Sequence, residues 1–191
     1  MMRVDAVDDA FAAVPRQGFL PRRERRRASY DGPLPIGHGQ TNSQPRTVAA
    51  MLRLLEVRPG DRVLDVGAGS GWSIGLLAHL TGPDGLVVGT EIVPELVEIG
   101  RANLAGSTVA GRLWARIETA DPDAVGWPAE APYDRVLVSA QARKLPMALL
   151  DQLEIGGRMV LPVNSTMLLV RRSTESVDVT EHGRYRFVPL H

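Results

Sequence analysis

The stretch "RVLDVGAGSG" (residues 62–71) decides the fold. Its first five residues place Val63, Leu64 and Val66 in a short apolar run, which reads as a strand. "GAGSG" follows at once. Glycines directly after a strand let the backbone turn sharply and approach a ligand closely, and the helix expected behind them adds a partial positive end. Upstream, residues 4–14 read as a short helix ending at Pro15, and 21–44 as irregular. A helix begins at Pro45, whose missing N–H is not needed there. Val48, Met51, Leu52 and Leu55 fall on one of its faces, and "RPGD" (58–61) stops it. Downstream, a helix runs through Leu80 to the turn "TGPDG". Strands are expected at 86–92, 112–119 and 134–140, and helices at 94–104 and 146–154. "GG" (156–157) then turns the chain into "RMVLPV" (158–163), with β-rich segments at 166–172 and 185–190. Alternating strands and helices imply an α/β fold, a mainly parallel sheet covered on both faces. Right-handed crossovers put the 62–66 strand centrally, and ligands of such sheets bind beyond the strands' carboxyl ends.

The glycine spacing narrows the ligand. A dinucleotide fingerprint wants G-x-G-x-x-G, but its sixth position here is Trp72, with a glycine at the fifth. The pattern Asp65-x-Gly67-x-Gly69-x-Gly71 instead resembles motif I of class I methyltransferases, which bind S-adenosylmethionine. Glu91, at the end of the second strand, can accept both hydroxyls of a ribose. Asp121, past the third strand, can meet an adenine amino group. The resemblance implies a doubly wound, mainly parallel sheet of the seven-stranded, Rossmann-like kind, with a short N-terminal helical extension and a β-rich C-terminus.

The pieces "VPRQGFLP" (14–21), "YDGPLPIGHGQTNSQP" (30–45), "VLDVGAGSGW" (63–72), "GTEIVPEL" (89–96), "GWPAEAPYDRVLVSA" (126–140), "ALLDQLEIGGRMVLPV" (148–163) and "RFVPL" (186–190) stand in an order that covers most of the chain. Together they resemble the protein-L-isoaspartate O-methyltransferases. That resemblance implies methyl transfer from S-adenosylmethionine to the α-carboxyl of an L-isoaspartyl residue in a damaged protein or peptide. The ester then closes to a succinimide that reopens partly to aspartate. It implies a single domain over 1–191, with 1–44 covering cofactor and substrate and 45–191 forming the core. It places Ser43 at the transferring methyl, Thr41, Asn42 and Gln44 along the cofactor wall, and Asp65, Gly67, Ala68, Gly69, Ser70, Gly71, Glu91, Ile92 and Asp121 around the cofactor. Three departures stand out. Asn42 replaces an isoleucine, Ala120 and Pro122 flank Asp121 with one extra residue before Gly126, and "SAQARKLP" (139–146) brings in Gln141 and Arg143.

The implied chemistry suits what the sequence lacks. A chain-terminal type of carboxyl titrates at roughly 3.3–3.7 and is ionised at neutral pH, so no general base or metal is required, and positioning and desolvation supply the acceleration. Ser43 has a second reading as a cap for the helix at Pro45. His38 reads as a loop residue, and Trp72 as packing. Charged residues make up 23% and the net charge is +0, so nothing global draws the chain to nucleic acid or an anionic membrane. The one charge run, "RRERRR" (22–27), reads as a solvated face. There are no cysteines, and no apolar run approaches the roughly 18 residues of a membrane span. The acidic N-terminus does not read as a signal peptide, which leaves a cytoplasmic monomer as the expectation. Three alternatives stay open: a carboxyl methyltransferase for one dedicated peptide, a non-catalytic binder of S-adenosylmethionine, and last a nicotinamide oxidoreductase.

Overall fold

The computed structural model describes residues 5–108, 111 and 114–190. Helix α1 (Ala6–Ala13) is capped by Asp5, whose carboxylate accepts the Val7 N–H at 2.9 Å. Short 3₁₀ turns follow at Arg16–Phe19 and Arg25–Arg27. Strands β1 (Leu34–Gly37) and β2 (Gln40–Asn42) form an antiparallel hairpin, and α2 spans Pro45–Leu55. The core then alternates: β3 (Arg62–Val66), α3 (Trp72–Thr81), β4 (Leu86–Glu91), α4 (Pro94–Ala105), β5 (Ala115–Thr119), β6 (Tyr133–Val138) and α5 (Met147–Asp151). Strands β7 (Leu153–Val163), β8 (Thr166–Arg172) and β9 (Val177–Arg184) complete it.

The seven core strands form one sheet in the order β5-β4-β3-β6-β7-β8-β9. The pairs from β5 to β7 are parallel, and β8 and β9 run antiparallel. From central β3 the chain winds outward through β4 to β5, then returns to β6 on the other side. The switch point therefore lies between the carboxyl ends of β3 and β6, where the Ser139 N–H donates to Val66 O at 2.8 Å.

The strands read as continuous apolar runs because both of their faces are buried. Val63, Val87, Leu137 and Val160 join the core shared with α1, α2 and α3. Their neighbours Leu64, Val88, Val136 and Met159 pack on the opposite side with Leu149 and Leu150 of α5.

The elements around the glycine loop match the sequence expectations closely, and four others differ. The segment 21–44 holds the β1–β2 hairpin. Helix α5 stops at Asp151 instead of 154, because Leu153 already enters β7, whose ladder to β6 is irregular between Tyr133 and Arg135. The expected β segment at 185–190 is an irregular strap with one isolated bridge, Gln141 to Pro189, while the last strand is Val177–Arg184. Strand β5 begins at Ala115; Arg112 and Leu113 of the expected 112–119 strand lie outside the described residues, as does Val4 of the first helix.

Candidate functional site

The glycine loop is tied to β4 through its backbone. Gly67 and Ala68 N–H groups both donate to Thr90 O, at 2.8 and 2.9 Å. Gly71 has φ +90°, and a Cβ there would stand 3.1 Å from Gly100 O on α4. A side chain there would be strained, and the helix starts one residue on, at Trp72. Glu91 is buried, with one carboxylate oxygen accepting the Gly69 N–H at 2.8 Å and the other the Val93 N–H at 2.9 Å. Each oxygen keeps a lone pair toward the cleft.

Asp65 lies beneath this loop, fully buried. It accepts the Ser139 hydroxyl at 2.9 Å and the Ser73 hydroxyl, so it fastens β3 to β6 and α3. Burial pushes its carboxyl up to about 6; the two hydroxyls pull it down and the charge of Glu91 adds to the rise.

Three adjoining hollows open beyond the sheet. The first has a cavity volume of about 80 Å³ and is walled by Gly67, Gly69, Glu91, Ile92, Asp121 and Val125, among others. Thr90 also lines it, and the Thr90 hydroxyl is buried without a hydrogen-bond partner. The second is smaller and is bounded by Asn42, Ser43, Ala68, Ser70 and Trp72. The third is a broad groove of about 670 Å³ bordered by Ser43, Gln44, Arg46, the end of β9 at Arg184 and the strap residues 185–188. Thr41 and Ser139 belong to the walls of all three, and Ser43 to the last two. Asp65 and Gly71 line none of them; they support the loop from behind.

Ser43 does not cap α2. The N-cap is Gln44, and Asp31 supplies the acceptor from outside, taking the Arg46 N–H at 3.2 Å. That bond, first among several, holds the Asp31 carboxyl below its usual range. His38 is exposed at the hairpin turn with φ +52° and lines none of the three hollows.

The residue that organises the lid is Arg16, which the sequence reading passed over. Its buried guanidinium donates to the carbonyls of Tyr30 (2.9 Å), Gly32 (2.9 Å), Asn42 (3.0 Å) and Ser43 (2.9 Å), and more weakly to Ala28 at 3.5 Å. Its Nε donates to the Asn42 amide oxygen at 2.7 Å, and its plane lies 5.6 Å from the Trp72 ring centroid. Burial brings the group down to about 10. Asn42 passes the contact on, its amide N–H donating to Ser70 Oγ at 3.1 Å. The Asn42 side chain therefore bridges lid and glycine loop and is not on the wall of the groove. The signal for Arg16 in the sequence was slight: one arginine among many, within "VPRQGFLP".

At the other end, Asp121 is exposed and its carboxylate accepts the Asp123 N–H at 2.9 Å, closing its own turn while still lining the first hollow. Gln152, also missed, holds this loop from below, accepting from Trp127 N at 2.8 Å and donating to Val125 O at 2.9 Å. Gln141 lies away from the first hollow and clamps the strap: its N–H donates to Val188 O at 2.7 Å, its carbonyl accepts from Leu190, and its side chain accepts from Ser165. Taken together, a glycine-lined wall, a buried acid and the apolar side chains of Ile92 and Val125 suit S-adenosylmethionine.

The chain matches the family model described as Protein-L-isoaspartate(D-aspartate) O-methyltransferase over residues 1–191. It is 44% identical to the protein-L-isoaspartate O-methyltransferase of Methanopyrus kandleri, over 99% of this chain and 84% of that one. The Thermococcus onnurineus protein of the same name is 41% identical, over 100% and 87%. A solved protein-L-isoaspartate O-methyltransferase superposes with TM-score 0.88 at 25% identity, covering 98% of this chain, which spans 61% of that structure's chain. A Plasmodium falciparum structure of this kind, in complex with S-adenosyl-L-homocysteine, gives TM-score 0.84 at 24% identity, over 100% of this chain and 92% of its own.

Proposed function

The chain belongs to the protein-L-isoaspartate(D-aspartate) O-methyltransferase family, and from that premise we propose how its residues carry the reaction. The enzyme methylates the α-carboxyl of L-isoaspartyl residues in damaged proteins and peptides, with S-adenosylmethionine as donor. When bound, the cofactor supplies a methyl group on a positively charged sulfur. The protein's own residues bind, orient and desolvate.

Gly67 and Gly69 leave room for the amino-acid end of the cofactor, Ala68, Ser70 and Asn42 close the space beside it, and Asp65 and Gly71 hold the loop in shape. Glu91 takes the ribose hydroxyls on its remaining lone pairs. Ile92 and Asp121 border the adenine. Thr41 stands between cofactor and substrate, and Gln44 lies on the substrate side. Ser43 donates its hydroxyl to the carboxylate oxygen that is not attacking, orienting the other oxygen in line with the methyl carbon. The bound donor would supply its methyl group to that oxygen and would keep the electron pair of the broken carbon–sulfur bond on sulfur. The attacking group is already anionic, so no proton moves.

The observation that carries this reading is the position of Ser43 on the wall common to the small hollow and the groove, with its capping duty taken by Asp31. The test is methyl incorporation into an isoaspartyl peptide and its aspartyl twin. Wild type should methylate the first only. Ser43→Ala should lower kcat about 10²-fold and leave cofactor affinity within about threefold by calorimetry. Equal kcat in both proteins would remove Ser43 from the reaction, and no turnover of either peptide by wild type would refute the activity itself.

The reading also takes 1–44 as a cover and 45–191 as the core of one domain, acting as a cytoplasmic monomer without nucleic acid. It rests on the balanced charge and on the one seven-stranded sheet that organises the core; among the described residues no helix is long and apolar enough to cross a membrane. Light scattering at working concentration checks the monomer.

A further inference from the structure

The broad groove beside Ser43 has a one-sided charge. Arg46, Arg184 and Arg186 line it, and among the described residues no carboxylate does. The carboxylate of Asp31 sits nearby but is held by the Arg46 guanidinium at 2.8 Å and by the helix N–H. Arg184 and Arg186 are exposed and make no ion pair among the described residues.

Their placement follows from alternation along the strap. Tyr185 and Phe187 turn inward and pack against the core, which leaves Arg184 and Arg186 on the open side. The strap is anchored rather than loose. The Tyr185 N–H donates to Ser165 O at 2.8 Å, and the Gln141 N–H donates to Val188 O at 2.7 Å. Fixed cations along a concave wall concentrate anions at its mouth, and they do so whatever sequence lies in the groove.

The substrate's α-carboxylate is one anion. A groove of this size also takes the residues on either side of it. We propose that Arg184 and Arg186, with Arg46, make this enzyme select isoaspartyl sites flanked by acidic residues, Glu or Asp within about two positions. The proposal rests on the isoaspartyl methyltransferase reading given above. It assigns the arginines a part in specificity and none in the methyl transfer itself. Once the α-carboxylate is esterified its charge is gone, so the same arginines hold the product less tightly than the substrate.

Three isoaspartyl peptides that differ only in the residues two before and two after the site (Glu, Ser or Lys) test this at 20–50 mM and at about 0.5 M salt. The Glu-flanked peptide should exceed the Lys-flanked one by about tenfold in kcat/KM at low salt, mainly through KM, from a four-unit difference in charge at groove distances. High salt should shrink the ratio to about twofold. The double variant Arg184→Gln/Arg186→Gln should do the same at low salt, with a melting temperature near wild type because both side chains are exposed. Equal or better use of the Lys-flanked peptide by wild type overturns the proposal. An undiminished Glu preference in the folded double variant overturns the assignment to these arginines. Were the variant to unfold, the salt series on wild type decides alone. Turnover of none of the three peptides refutes the underlying activity instead.

Discussion

The two walls of the cofactor cleft are held by opposite means. The glycine loop (67–71) is fixed by its own backbone: two N–H groups share Thr90 O, and Gly71 lies against Gly100 with a positive φ at which a side chain would be strained. The lid (28–43) is fixed by one side chain from elsewhere, since Arg16 gathers carbonyls from both ends of the hairpin. A wall built from local backbone rules tolerates change in most of its side chains. A wall gathered by one buried cation stands or falls with that residue.

Arg16→Gln gives the largest break. It leaves several inward-facing carbonyls unpaired and should cost about 3–4 kcal/mol in denaturant unfolding. Cofactor affinity should fall at least tenfold by calorimetry, because the lid closes the small hollow. Second comes the one titratable fastening under the glycine loop. The Asp65 carboxyl is at about 6 in the folded protein against about 3.9 unfolded. Between those values the folded state binds more protons, so stability falls as pH rises from about 4 to about 6, by up to about 2–3 kcal/mol. Asp65→Asn should flatten that part of the profile in melts taken across the range. Third, Gly71→Ala should cost about 2 kcal/mol, with loop shape and cofactor affinity both suffering, whereas alanine at exposed Gly106, which has negative φ, should not. The smallest effect sharpens the comparison where the walls meet. Asn42→Ile removes the acceptor of Arg16 Nε and the donor to Ser70, and should lower stability by about 1 kcal/mol while leaving kcat close to wild type. A variant as stable as wild type would show that the bridge between the walls carries nothing.

The same contrast explains what could be read in the sequence. The glycine loop, β3, α2 and Glu91 were legible because strand, turn and helix starts are written in adjacent residues. The lid hairpin was not, since its strands have four and three residues and their anchor lies 26 positions from Asn42. Strand β9 was hidden for another reason: as the exposed edge its residues are mostly polar, and its partner β8 supplies the apolar contacts. The strap invited a strand assignment because Tyr185 and Phe187 alternate inward, but that alternation serves packing on the core and not a ladder. Ser43 was legible as a candidate, yet only Asp31, twelve residues earlier, shows that its hydroxyl is not taken up by capping. Gln152 and Gln141, which hold the 121–127 loop and the strap, do so through folded contacts that no local pattern announces.

The Arg16 clamp has one more consequence. Although it is a cation, all its hydrogen bonds end on carbonyl or amide oxygens, and none of those acceptors takes up a proton in acid. Helix α1 is secured differently, by exposed ion pairs from Arg53 to Asp5 and Asp8. The Arg53 bond holds Asp5 below the usual carboxylate range, so that tie is complete above the ordinary value and is lost as pH falls through the folded one. Salt screens it as well. Acid and brine therefore loosen the exposed ties at the rim, those of Arg53 to α1 and of Arg46 to Asp31, and the Arg16 clamp on the hairpin keeps its grip through both.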